Sequence, residues 1–256
     1  MGKRKKSSES LKNEIKKRKI NKYPSVTFHG YEMDTLISLK SDFKIERKNM
    51  RFFEHSEPQK NKYLTSEKQG ECCVTIEDSF FSFPNGDIPE GMYNFCLTAE
   101  LPPQLLCSKT LHHSYLANGK KVFGVGTLEF ENGRLFKMSN HSGHYKPTNN
   151  EMVKVIKALY KASDEDLKVF TSYSKPTPET FAVLDILKQD SFDKLIPLAN
   201  NEEVNIETGA IETITADHSD YDQFESILSN DSLHLKPEII DDYQQQLCRE
   251  FQTAHP

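Results

Sequence analysis

The sequence lacks tryptophan, and arginine occurs at only six positions against 27 lysines. No run of about 18 apolar residues occurs, so no segment reads as a membrane-spanning helix. The 11 glycines and 12 prolines are ordinary for 256 residues, which excludes collagen-like and low-complexity classes. The five cysteines (72, 73, 96, 107 and 248) are odd in number and form no Cys-x-x-Cys pair. They read as free thiols in a reducing compartment rather than as a disulfide framework or a zinc ribbon. A basic start is present, but no apolar stretch follows it, so Sec-type export is not expected. Met1-Gly2 lacks the Ser/Thr that N-myristoylation needs, because Lys6 stands there.

What the chain does have is charge asymmetry. Residues 1–22 carry net +8, residues 201–256 net −11, and the body between them net −2. Three segments follow: a basic flexible arm (1–22), an α+β domain (23–200) and an acidic tail (201–256) with a small hairpin and two helices. Lys3-Arg4-Lys5-Lys6 and Lys16-Lys17-Arg18-Lys19 are spaced like a bipartite nuclear address or a nucleic-acid patch. A solvated Lys-rich arm reads equally well. Nucleic acid ranks low as a partner, because the arm has no aromatic before Tyr23 for base stacking and the rest of the chain is acidic. A cytoplasmic or nuclear location is expected.

The fold class expected is α+β: a largely antiparallel sheet over about 23–140, followed by packed helices. Strands are expected at Ser25–Phe28, Phe43–Arg47, Cys73–Ile76, Tyr93–Thr98 and Lys109–Leu116. The clearest element is a hairpin, Val122–Phe130 and Arg134–Met138 around Glu131-Asn132-Gly133. Gly124 and Gly126 within its first strand point to a bulge or a close backbone approach. Thr148-Asn149-Asn150-Glu151 is a capping box that starts a helix over about 149–162. A strand is expected at Leu167–Tyr173, and a helix after Thr177-Pro178, with Thr177 as N-cap. In the tail, Val204–Glu207 and Ala210–Thr215 read as a hairpin, and Tyr221–Leu228 and Pro237–Phe251 as amphipathic helices.

Residues 111–151 hold four of the nine histidines. Ser139-Asn140-His141-Ser142-Gly143-His144-Tyr145-Lys146-Pro147-Thr148 joins a strand to a capped helix. Such a junction favours an anion, because backbone N–H groups and the helix dipole face it. Gly143 would permit a positive φ or close ligand approach. His144 is suited to acid–base work near neutral pH, and Tyr145 and Lys146 to donating to oxyanions. The alternative is a structural turn with hydrogen-bonding histidines. A metal at His141/His144 or His112/His113 has no nearby acidic or Cys ligand at standard spacing, so none is expected. Cys107 with His144 could form a nucleophile–base pair, or Cys107 could be a small core residue.

His113-Ser114-Tyr115-Leu116-Ala117, Gly126-x-Leu128, Asn132-Gly133 and Ser142-Gly143-His144-Tyr145-x-Pro147-Thr148 together resemble the C-terminal domain of plant IQ-motif calmodulin-binding proteins. Similar domains occur in uncharacterised fungal proteins and in bacterial toxin- or effector-like proteins. The likeness covers about residues 105–175. The IQ motif itself is absent, so calmodulin binding does not carry over. What the resemblance implies is a single site made by these residues. The expected catalytic set is His144, His113 and Ser114, and the expected ligand-binding set is Ser142, Gly143, Tyr145, Lys146 and Glu151. The function expected is an effector-like transferase that takes a phosphorylated or nucleotide ligand, such as NAD or ATP, and acts on a host protein, into whose cell a bacterial secretion system would deliver it. The alternative is a non-enzymatic interaction protein whose basic arm is an address and whose acidic tail binds a partner.

Overall fold

The computed structural model describes residues 26–199, 202–204 and 210–213. The chain divides into two units, Met1–Thr213 and Ile214–Pro256. The basic arm and the expected helices at 221–228 and 237–251 lie outside the described residues.

The α+β expectation holds. Eight strands form one sheet: β3 (Cys73–Glu77), β4 (Phe80–Ser82), β5 (Gly91–Thr98), β6 (Leu105–Ser108), β7 (Val122–Glu131), β8 (Arg134–Ser139), β9 (Val169–Ser172) and β10 (Glu179–Ala182). Their order is β10-β9-β8-β7-β5-β6-β3-β4. Every pairing is antiparallel except β8 with β9. Two hairpins stand apart from it, β1 (Thr27–Phe28) with β2 (Tyr31–Glu32), and β11 (Glu202–Val204) with β12 (Ile211–Thr213).

The sheet does not end near residue 140, as the sequence reading had it; it continues through β9 and β10. A parallel pair needs a crossover, and the capped helix supplies it. That helix, α4 (Asn149–Ala162), buries Met152, Val155, Ile156 and Leu159 at helical spacing. Among the described residues the other α-helices are α1 (Lys44–Ser56), α2 (Ser66–Glu71), α3 (His113–Leu116) and α5 (Val183–Gln189). The core lies between α4 and the sheet, with Phe95, Leu97, Leu128, Leu135 and Phe170 almost fully buried.

The hairpin at Asn132-Gly133 is present, with Asn132 and Gly133 both at positive φ. Both glycines of β7 sit under close neighbours. A Cβ on Gly124 would lie 2.8 Å from a Val155 methyl of α4, and one on Gly126 would lie 1.9 Å from the Ser139 carbonyl oxygen.

Three elements differ from expectation. Phe43–Arg47 is not a strand: Ser41–Phe43 is a helical turn and Lys44 opens α1, a charged helix whose one buried side chain is Met50. Lys109–Leu116 is not a strand either. The Ser108 hydroxyl accepts from the amides of Thr110 and Leu111, which turns the chain into α3. Thr177-Pro178 does not cap a helix. Glu179–Ala182 pairs with β9 first, and α5 begins at Val183. The tail hairpin exists but pairs Glu202–Val204 with Ile211–Thr213.

Candidate functional site

The loop between β8 and α4 is built on a buried amide. Asn140 is almost fully buried at the end of β8. Its Nδ2 donates to the Pro147 carbonyl (3.0 Å) and Asn149 Oδ1 (3.1 Å), and its Oδ1 accepts from the Tyr173 amide (2.6 Å). Asn149 Oδ1 also accepts from Ser172 Oγ (2.6 Å) and Ser174 Oγ (2.8 Å). Asn140 and Asn149 thus tie the loop, the start of α4 and the end of β9 together. The left-handed backbone position is Lys146 (φ 43°), whose amide donates to the Ser142 carbonyl. Gly143 has no positive φ, and a Cβ there would meet nothing within 4 Å. Of the two uses expected of Gly143, the positive φ is not found, and the space beside it is open.

Above this floor lies a cleft of about 390 Å³, lined by Asn140, His141, Ser142, Gly143, Lys146 and Thr148 on one side and by Tyr173 and Ser174 on the other. The His141 and Tyr173 rings touch, with centroids 4.5 Å apart, and both are exposed. The N-terminus of α4 is already occupied. Glu151 Oε2 accepts from the Thr148 amide (2.7 Å) and Thr148 Oγ (2.9 Å), completing the capping box. Glu151 therefore acts as a cap in this structure.

His113 and Ser114 lie elsewhere. They form the first turn of α3, and both are buried. His113 Nε2 donates to the Gly126 carbonyl at 2.7 Å. Burial drives its pKa from 6.5 down to about 4, against the opposing pull of that hydrogen bond. The imidazole is thus a neutral strut between α3 and β7 at pH 7. The Ser114 hydroxyl is fully buried and closes no hydrogen bond of ordinary geometry, yet it acts on the Glu46 carboxyl.

His144 faces the same carboxyl. Its Nε2 lies 3.0 Å from Glu46 Oε2, and the two side chains are 21% and 22% exposed. Tyr63 donates its hydroxyl to Glu46 Oε1 at 3.0 Å. Burial alone would raise the Glu46 pKa; the His144, Ser114 and Tyr63 partners more than reverse it, and the net shift is downward. The His144 ring packs on Phe43 (4.1 Å between centroids) and lies 6.0 Å from the exposed His112 ring.

Of the eight residues expected to form one site, Ser142, Gly143 and Lys146 line the cleft. His144 and Ser114 meet over Glu46, and His113 adjoins them in α3. Tyr145 belongs to neither place. It is fully buried in the core, where its hydroxyl donates to the Lys120 carbonyl at 2.7 Å. Cys107 is likewise buried, and desolvation pushes its thiol pKa well up, so the Cys107–His144 nucleophile pair is not supported. Among the described residues no His/Cys/Asp/Glu group has the arrangement to hold a metal, and no helix is long and apolar enough to cross a membrane.

The strand expected at Phe43–Arg47 conceals Glu46, which the helix brings to the site. Its signal is present in the sequence: Phe43, Met50 and Phe53 mark the inward stripe of a helix, and Glu46 is an acid on that stripe. Asn140 and Asn149 carry no sequence signal beyond that of ordinary loop and cap residues.

The geometry defines an α+β domain with a polar cleft and an adjoining carboxylate–histidine pair. A family model, the middle domain of IQ motif-containing proteins, matches residues 105–152, which run from β6 into α4. The likeness to IQ-motif proteins is thus borne out, with the middle domain in place of the C-terminal one; the match carries nothing about bacterial effectors. No curated protein and no solved structure shows a significant match to the chain.

Proposed function

We propose that this domain binds a phosphorylated or nucleotide ligand in the cleft above Asn140 and Asn149, and that a group passes from that ligand to a protein whose acceptor group meets His144, outside the cleft lining on the Glu46 side, as acid or base. The cleft carries the proposal. Its volume of about 390 Å³ falls in the range of small-molecule sites. It offers the Lys146 ammonium and the His141 imidazole to phosphate, Ser142 and Ser174 hydroxyls to a sugar, and the exposed Tyr173 ring to a base. ATP and NAD are the expected ligand types. The effector-like form of this reading, with a host protein as acceptor and delivery by a secretion system, is the proposal's further step and draws nothing from the family match.

The test is label transfer. Wild type and His144→Ala are incubated with labelled ATP or NAD and a cell lysate, and binding of both nucleotides is measured by calorimetry. The expected result is nucleotide binding by both proteins and transfer by wild type alone. No binding and no transfer of either label would overturn the proposal.

The second reading is a non-enzymatic interaction protein. The observation that favours it is how much of the motif is structural: His113 is a strut, Tyr145 a core residue and Glu151 a cap. The charged ends of the chain would then carry the function, the basic arm as a nuclear address and the acidic tail as a partner-binding segment. A fluorescent fusion lacking residues 1–22 should lose nuclear accumulation; the same distribution with and without the arm would sink this reading.

A further inference from the structure

We infer that Glu46 is the positioning residue of His144: its carboxylate fixes the imidazole with the Nε2 proton turned toward α1 and leaves Nδ1 as the nitrogen that exchanges a proton. This rests on the reading of His144 as acid or base.

The argument starts from the carboxylate. Glu46 is separated from His144 by nearly a hundred residues of chain, so no local turn brings the two together. Helix α1 does so, by placing Glu46 on its inward stripe between Phe43 and Met50. The two oxygens then have separate duties, Oε2 to His144 and Oε1 to Tyr63, each at 3.0 Å. The buried Ser114 hydroxyl, otherwise unpartnered, bears on the same group. A half-buried carboxylate with several donors stays ionised, and an ionised carboxylate only accepts. Nε2 must therefore carry the hydrogen, which sets the tautomer.

The surroundings fix the ring plane as well. Phe43 packs against the imidazole, and the His144 carbonyl accepts from the Lys40 amide at 3.0 Å, so backbone and ring are both held. Arg51 binds the α1 side to the loop after α3 by donating to the Asn118 carbonyl at 2.8 Å. In a transfer step, Nδ1 takes the proton from the acceptor group as the acceptor bonds to the transferred group and the bond from that group to its leaving group breaks, releasing ADP from ATP or nicotinamide from NAD. The imidazolium so made faces the Glu46 carboxylate, and the proton then passes to the leaving group or to water. No oxidant or metal enters.

The test uses the full chain with 15N-labelled histidine. Long-range 1H–15N spectra should show neutral His144 as the Nε2–H tautomer in wild type and as a mixture in Glu46→Gln. In the transfer assay with labelled ATP or NAD, Glu46→Gln should lower kcat by about 100-fold, with KM changed little, as expected when a positioned acid–base group is lost. A folded Glu46→Gln chain with the wild-type tautomer and rate overturns the proposal. If Glu46→Gln does not fold, Tyr63→Phe removes one anchor of the carboxylate and leaves the acid in place. It should shift the tautomer mixture in the same direction, and an unchanged spectrum overturns the proposal. A wild-type chain that shows the Nε2–H tautomer and transfers no label supports the pairing and overturns the transfer reading alone.

Discussion

A side-chain carbon on Gly126 would stand 1.9 Å from the carbonyl oxygen of Ser139 on the neighbouring strand. The same Gly126 presents its own carbonyl to His113 at 2.7 Å. One backbone position thus sets both the spacing of β7 and β8 where the motif loop begins and the seat of α3. Gly126→Ala should force the strands apart at the Thr127–Ser139 pair, with a loss of about 3 kcal/mol, the range of strained backbone substitutions. Urea unfolding of wild type and variant measures it. A loss under about 0.5 kcal/mol, typical of a neutral surface change, would show that the strands part freely there.

His113 makes the fold acid-sensitive in a defined window. Its pKa falls from 6.5 to about 4 in the folded chain, chiefly through burial. Above 6.5 both folded and unfolded states hold it neutral, and it adds no pH dependence. As pH falls from 6.5 toward 4, the unfolded chain takes up the proton and the folded chain does not, so stability drops with falling pH. The full effect is about 3 kcal/mol. His113→Gln keeps a donor for the Gly126 carbonyl and removes the titration. Its unfolding free energy should lose about 2 kcal/mol less than wild type between pH 7 and pH 5. The contribution of Glu46, whose pKa is lowered, is present above the ordinary carboxylate range and is lost mainly below pH 5. Equal acid losses in wild type and His113→Gln would exclude His113 as the source.

Local chemistry decided what could be read from the chain. The Asn132-Gly133 hairpin, the Thr148–Glu151 capping box and the apolar strand of β5 are each written in adjacent residues, and each is found where expected. The two close-packed glycines of β7 were legible too, because a glycine in a strand has few other uses. Helix α1 is disguised at its start: Phe43, Ile45 and Arg47 alternate like a strand, which hides the helical spacing of Phe43, Glu46, Met50 and Phe53. Losing α1 meant losing Glu46, and with it the partner of His144. The end of β9 was similar: Thr177-Pro178 imitates a helix start, but Thr180 and Phe181 fit the β9 edge and were claimed by the sheet. The single site implied by the family resemblance gathers residues of one motif, but a shared motif does not fix a shared direction. Successive residues there face different ways, so Ser142 lines the cleft, His144 meets Glu46 and Tyr145 enters the core.

Tyr145 separates stability from binding. Its ring is fully buried and its hydroxyl satisfies the Lys120 carbonyl. Tyr145→Phe leaves that carbonyl without its donor and should cost about 1–2 kcal/mol. The residue does not line the cleft, so nucleotide affinity should stay within about twofold, a difference of roughly 0.4 kcal/mol. Calorimetric melting and nucleotide titration on one preparation test both halves. A large fall in affinity with unchanged stability would put the phenol back in the binding site.

Glu151 gives the clearest opposition between sequence and geometry. Its place in the motif puts it among ligand-binding residues; its hydrogen bonds put it on Thr148, at the lip of the cleft. Glutamine fits the same capping box, so Glu151→Gln should leave stability within about 0.5 kcal/mol. It also removes a negative charge from the first turn of α4, where charge interactions are worth about 0.3–1 kcal/mol. If the cleft takes a phosphorylated ligand, removing that charge should raise ATP affinity about two- to fivefold at low salt, and the gain should shrink as salt screens it. A ligand whose hydroxyls donate to Glu151 would behave oppositely, because glutamine is the weaker acceptor. Affinity would then fall on substitution and depend little on salt. The sign of the change in calorimetric titrations of wild type and Glu151→Gln therefore decides whether this carboxylate guards the cleft or serves it.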